Sequence, residues 1–176
     1  MSYKFSLTDP EWDDLRAPAT GINPVGPISP ATPNAADGSL TFAKGNLICA
    51  WFQMPHSWLL GSDIHVHIHW SKQTTNNGVV NWQMKYKWGN KGDVMPAFSA
   101  LATGTEQVLN SDTIDKSAKY EWPAISGVGK TLSSMICIYL IRVNDGNDTF
   151  TGDANLYEID IHYRKDTFGS RQETIK

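Results

Sequence analysis

The sequence predicts an all-β protein, an antiparallel β-sandwich with the jelly roll as its leading form. Three observations carry that expectation. Apolar and polar residues alternate with period 2 in one segment after another, glycine- and asparagine-rich turns separate these segments, and the body of the chain shows no helical period. The 176 residues, 40% of them hydrophobic, suffice for one domain with a real core. The expected division is a short helix and proline-rich arm over residues 1–37, then a sandwich with a short C-terminal tail over residues 38–176.

Taken in order, Met1-Ser2-Tyr3-Lys4-Phe5 lacks the apolar centre of a signal peptide. Thr8-Asp9-Pro10-Glu11 offers a capping residue, a first-turn proline and early acids ahead of Trp12-Asp13-Asp14-Leu15, which predicts one short helix. Residues 17–33 then carry Pro18, Pro24, Pro27, Pro30 and Pro33. A segment so rich in proline runs extended and stays out of sheet interiors. It is either a loop wrapping its own domain or an arm reaching a neighbouring subunit.

Strands follow at residues 46–54, 64–72, 80–88, 133–143 and 155–164. In the third of these Val80, Trp82, Met84, Tyr86 and Trp88 alternate with Asn81, Gln83, Lys85 and Lys87, one apolar face and one solvated. Turn chemistry bounds the strands at Gly61-Ser62-Asp63, Asn76-Asn77-Gly78, Asn90-Lys91-Gly92-Asp93 and residues 144–148. The segment with Ile136, Ile138 and Leu140 on one face and Met135, Cys137, Tyr139, Ile141 and Val143 on the other is apolar on both sides and should be central. Between strands, residues 124–131 satisfy a loose phosphate-loop pattern. Its first position is Ala124 rather than glycine, no apolar strand precedes it, and a strand rather than a helix follows, so it reads as a connecting loop. Ser and Cys lie in no nucleophile elbow, and His56 reads as a loop residue capping a backbone carbonyl.

The chemistry-bearing segment is Ile64-His65-Val66-His67-Ile68-His69-Trp70, whose alternation puts three imidazoles on one face. At about 3.3 Å per residue, His65 and His69 start roughly 13 Å apart, too far for all three to share one ion. At most two neighbours would ligate, with help from other strands. The next residues, 70–78, hold no carboxylate; the nearest candidates are Glu158, Asp160 and His162, which share a face with Arg164, opposite Tyr157, Ile159, Ile161 and Tyr163. Pairing of the two polar faces gives imidazole–carboxylate hydrogen bonds or a metal cluster equally well. The expectation drawn is a structural polar face, with no metal and no cofactor.

A net charge of −3 with no basic run longer than a pair argues against nucleic acid, and no apolar run approaches a membrane span. Cys49 and Cys137 sit in apolar strand candidates and read as buried free thiols in a reducing cytosol; a disulfide requires neighbouring strands. Of seven tryptophans, Trp51, Trp70, Trp82 and Trp88 occupy regular strand positions and are expected in the core. Trp12, Trp58 and Trp122 lie in loops or at ends and are expected at an interface, with Arg16, Pro24, Pro27 and the tail's Arg171.

Several blocks carry a family resemblance: Glu11-Trp12-Asp13-Asp14-Leu15-Arg16, Gln53-Met54-Pro55-His56-Ser57-Trp58, residues 63–70 and 78–89, and the closing runs 148–154 and 166–173. In these the chain resembles small virion structural proteins of tailed bacteriophages. The resemblance implies a non-enzymatic, homo-oligomeric component of the phage particle, assembled in the bacterial host cytoplasm. Its partners would be other virion proteins, the major capsid protein for a decoration or cement protein and neck or tail proteins for a fibre-attachment protein. Outside that class stand a cupin-like metal-dependent enzyme and a sugar-binding module.

Overall fold

A computed structural model of the chain describes residues 10–22, 30–99, 102–108 and 112–169. Among them run β1 (Glu11–Pro18), β2 (Thr32–Pro33), β3 (Leu40–Phe42), β4 (Leu47–Gln53), β5 (Ile64–Lys72), β6 (Gly78–Gly89), β7 (Ala102–Val108), β8 (Ala118–Glu121), β9 (Met135–Arg142) and β10 (Ala154–Lys165). Every pairing between these strands is antiparallel. One sheet has the order β2-β3-β10-β5-β8, with β1 following β3 along the same edge of β10; the other has the order β4-β9-β6-β7. From β3 onward the chain crosses between sheets at every step except the β6–β7 hairpin, with β3, β5, β8 and β10 in one sheet and β4, β6, β7 and β9 in the other. That is the eight-strand jelly roll.

The core lies between the sheets and is filled by the apolar faces that alternation supplies. Ile64, Val66, Ile68 and Trp70 of β5 face Val80, Trp82, Met84 and Trp88 of β6 and Ile136, Ile138 and Leu140 of β9, all fully or almost fully buried. Trp82 meets Phe42 and Trp70 edge to face, at ring distances of 5.3 and 5.7 Å. Where β7 crosses β8, Gly104 is required by close approach: a Cβ there would stand 2.0 Å from the Tyr120 ring.

One end of the sandwich is closed by a buried ion pair. Arg142 and Asp148 have no exposed side-chain surface; Nε donates to Oδ2 at 2.9 Å and one terminal nitrogen to Oδ1 at 3.0 Å. The remaining guanidinium N–H groups donate to the carbonyls of Phe42, Phe150 and Gly152. The bend that follows β9 thus folds around one arginine.

The structure corrects one local expectation and narrows an open alternative. Residues 11–18 form strand β1, not a helix, because eight residues pair with residues 158–165 of β10 and this ladder overrides the capping signal. Ala19 and Ile22 on one side of the proline-rich stretch, and Ala31 on the other, are in the core. The described parts of residues 17–33 therefore wrap their own domain; Pro24 and Pro27 lie outside the described residues. The loop over residues 124–131 is a connection, as expected, and Gly127 serves packing there: a Cβ would meet the Ser62 carbonyl oxygen at 2.1 Å.

Candidate functional site

The outer face of the β10-β5-β8 layer collects the histidines. Alternation along β5 points His65, His67 and His69 outward, and register sets Asp160 of β10 and Glu121 of β8 on either side of His67. His162 lies beside His65, and Glu158 and Lys119 flank His69. A β-bulge between Leu156 and Glu158 sends Tyr157 to this polar side, where its hydroxyl meets Ser71 Oγ at 2.8 Å. Tyr157 therefore does not share a face with Ile159 and Ile161, contrary to the simple alternation.

His67 and Asp160 are almost fully buried, at 2% and 3% exposure. Asp160 Oδ2 lies 3.1 Å from His67 Nε2 and 3.2 Å from His69 Nε2, and the two Nε2 atoms are 3.2 Å apart. Asp160 Oδ1 and His67 Nδ1 are buried and have no hydrogen-bond partner among the described residues. Around this triangle His162 pairs with Asp14 at 2.6 Å, His65 with Glu121 at 3.4 Å, Arg16 with Glu158 at 2.5 Å, and Lys119 with Glu121 at 2.9 Å. Trp12 stands edge-on to His65 at 5.4 Å.

The outer face of the opposite sheet is aromatic and cationic. Register aligns Trp51, Cys137 and Lys87 in one row and Cys49, Tyr139 and Lys85 in the next. Lys87 Nζ sits between two rings, 5.1 Å from the Trp51 centroid and 5.0 Å from that of Phe98, which in turn lies 5.6 Å from Tyr139. Trp51 remains 51% exposed and Phe98 39%. Both cysteines are free; a hydrogen bond with Cys137, aided by the Lys87 ammonium, lowers the Cys49 thiol to about 7, while Cys137 is pushed up.

These surfaces redistribute the expected site residues. Trp12 is exposed at 53%, and the Arg16 side chain is largely exposed while holding Glu158. Trp58 and Trp122 are core residues, not interface residues. Trp58 donates its indole N–H to Ser62 Oγ and packs on Trp88, in a turn tied down where the Leu59 N–H meets the Arg164 carbonyl. Trp122 extends the line of β8, donating its amide to Val66, and buries its ring against Tyr120. Arg171 lies outside the described residues. Trp51, expected inside, faces out: Ile48, Ala50 and Phe52 take the inner face, so Cys49, Trp51 and Gln53 take the other. The polar Gln53 at the strand end was the available signal.

A cleft of about 200 Å³ lined by Trp70, Lys72, Glu106, Val108, Asp112 and Lys116 falls below the roughly 300–1,000 Å³ of small-molecule sites. The broad outer faces are therefore the stronger candidates for recognition.

No protein-family model matches the sequence, and no curated protein does. Among solved structures, the mosquito-larvicidal Cry4Aa toxin of Bacillus thuringiensis matches with a TM-score of 0.50 at 12% identity, over 86% of this chain and 23% of the toxin. The chain thus spans under a quarter of that protein, and at this identity the likeness concerns the fold alone. The CBM36-1 domain of a multidomain xylanase from the hindgut metagenome of Trinervitermes trinervoides matches with a TM-score of 0.46 at 11% identity, over 85% of this chain and 96% of that one. TmCBM61, solved with β-1,4-galactotriose, matches with a TM-score of 0.31 at 10% identity, over 88% of both chains.

Proposed function

We propose that this chain is a non-catalytic binding module that holds an extended glycan on the outer face of the β4-β9-β6-β7 sheet. One observation carries the reading: Trp51 leaves half its surface in water at a regular strand position, beside exposed Phe98 and half-buried Tyr139. What supports recognition here is the cluster: Trp51, Phe98 and Tyr139 bring three aromatic rings together on one outer face, and contiguous exposed aromatic surface suits a binding partner. A pyranose ring offers it an apolar C–H face, and Gln53, Gln83, Lys85 and Lys87 on the same side offer donors and acceptors for hydroxyls. A flat platform suits a polymer that binds at many weak points. Affinity electrophoresis through a panel of soluble polysaccharides tests this: one polymer should retard the protein, and Trp51→Ala should abolish the retardation while leaving circular dichroism unchanged. No retardation by any polymer, or equal retardation of the variant, overturns it.

The sequence blocks favour a second reading, a structural protein of a tailed-phage particle, first a homo-oligomeric capsid decoration protein and second a neck or tail component. The exposed Trp12 and Arg16 belong to one of those blocks and lie on edge strand β1. Locating the protein by cryo-electron microscopy on an intact virion tests it; absence from purified particles overturns it.

A further inference from the structure

We propose that His67, His69 and Asp160 form a binding site for one first-row divalent transition-metal ion, with Zn²⁺ the ion best suited to the donors. The first argument is spacing. Tetrahedral bonds of about 2.0–2.1 Å hold ligand atoms about 3.3–3.4 Å apart. His67 Nε2, His69 Nε2 and Asp160 Oδ2 form a nearly equilateral triangle with edges of 3.1, 3.2 and 3.2 Å. One ion just above that triangle completes three bonds at once. Two imidazoles and a carboxylate are a donor set used by zinc and by non-haem iron.

The second argument is proton accounting. Each Nε2 carries at most one hydrogen, which points along one direction, so two N–H groups cannot satisfy all three edges of the triangle. If both donate to Asp160 Oδ2, the 3.2 Å contact between the nitrogens is left without a hydrogen. With the Nε2 hydrogens removed, all three atoms offer lone pairs within 3.2 Å of one another, and a cation between them removes the conflict.

The third argument is burial. Asp160 is 3% exposed and its Oδ1 has no hydrogen-bond partner among the described residues, which is costly for a carboxylate unless positive charge compensates it. Arg16, across from Asp160 on β1, feels its charge but gives its hydrogen bond to Glu158. Lys119, across from His69, is engaged by Glu121. The four acids Asp14, Glu121, Glu158 and Asp160 still outnumber Arg16, Lys119 and Arg164 on this face, a balance that favours a further cation. The His69 side chain keeps 37% of its surface exposed, so the site is reachable from solvent.

His67, Glu121 and His162 form a neighbouring group whose ligand atoms also lie within 4.8 Å of one another, but Glu121 and His162 already hold Lys119 and Asp14. The triangle of His67, His69 and Asp160 is therefore the assigned site. The sequence expectation of no metal rested on the lack of a carboxylate after the histidine strand; the carboxylate comes instead from β10, directly across from His67.

The test uses the full chain stripped with chelator and titrated with Co²⁺ as a visible probe, then with Zn²⁺ by calorimetry. The expected result is one ion per chain, with intense visible cobalt bands and a higher melting temperature on Zn²⁺ addition. His69→Ala and Asp160→Asn should each weaken binding by at least about 100-fold, and Glu121→Gln should leave it within a few-fold. His69 is partly exposed and its loss spares the core, so His69→Ala keeps the test valid if Asp160→Asn unfolds. Absence of stoichiometric binding, binding that survives His69→Ala, or binding lost in Glu121→Gln overturns the assignment. None of these outcomes bears on the glycan platform, which lies on the other sheet.

Discussion

Replacing Arg142 by methionine should be the most damaging single change in the protein outside the apolar core. The substitution keeps much of the side chain's length but removes a guanidinium that holds both oxygens of Asp148 and three backbone carbonyls, all within 2.6–3.0 Å. Breaking a buried pair by removing one partner typically costs about 3–5 kcal/mol, because the remaining charge stays buried. The three orphaned carbonyls push the loss toward the upper end, each worth about 1 kcal/mol or more. Lys44, 3.4 Å from Asp148 Oδ1, and the Asn81 amide, 3.1 Å from Oδ2, push it back by retaining part of the compensation. The expected net loss is about 4 kcal/mol, a large share of the roughly 5–15 kcal/mol of a typical domain. Urea denaturation with an unchanged m-value is the assay. Adding Asp148→Asn should recover at least about 1 kcal/mol by neutralising the stranded carboxylate. A loss below about 1 kcal/mol, or a double variant no more stable than the single one, would refute the reasoning.

Three further outcomes are expected. Ile138→Ala, in a fully buried position of β9, should cost about 2–5 kcal/mol, and Lys85→Ala on the outer face of β6 no more than about 0.5 kcal/mol; equal losses in denaturant titrations would mean the sheet faces are misassigned. Burial raises the Glu106 carboxyl above its ordinary value despite the hydrogen bond from the Trp70 indole, so its contribution is fully present at acid pH and declines as pH rises through the folded value. Glu106→Gln, which can still accept that N–H, should raise the melting temperature at pH 7 and lose its advantage below the ordinary carboxylate range; a constant difference across pH would contradict this. With its thiol lowered to about 7, Cys49 should alkylate with iodoacetamide well before Cys137 at pH 7, with a rate rising most steeply near pH 7, as peptide mass spectrometry will show.

The five long strands were legible because each has an amphipathic or doubly apolar period that survives any context. β5, predicted over residues 64–72, has those very bounds. The others were hidden for physical reasons. β1 is preceded by Pro10 and opens with acids, a helix-start signal that long-range pairing with β10 outweighs. β7, with Ala102-Thr103-Gly104-Thr105, and the four-residue β8 lack a long apolar face, and their strand state depends on neighbours rather than on propensity. The polar faces carrying His65, His67 and His69 and carrying Glu158, Asp160 and His162 followed from alternation; that the two strands are neighbours came from the sheet order. The convergence of three atoms on one point did not follow, because it depends on register across two strands. The Glu121 contribution from β8 and the outward turn of Tyr157 at the bulge were likewise invisible to a period-2 reading.

β1 also decides which margin of the sheet is closed to a second copy of the chain. It covers the stretch of β10 from Glu158 to Lys165, which would otherwise be an open sheet margin offering unpaired amides and carbonyls to any extended segment. A chain shortened to begin at Ala19 would carry that vacancy, and the complementary peptide, residues 10–18, would be its specific plug. Supplied in trans, the peptide should restore the missing strand. Supplied by a second full-length molecule, the same strand would knit two copies together through a ladder identical to the intramolecular one, an exchange that reuses existing hydrogen bonds instead of requiring new ones.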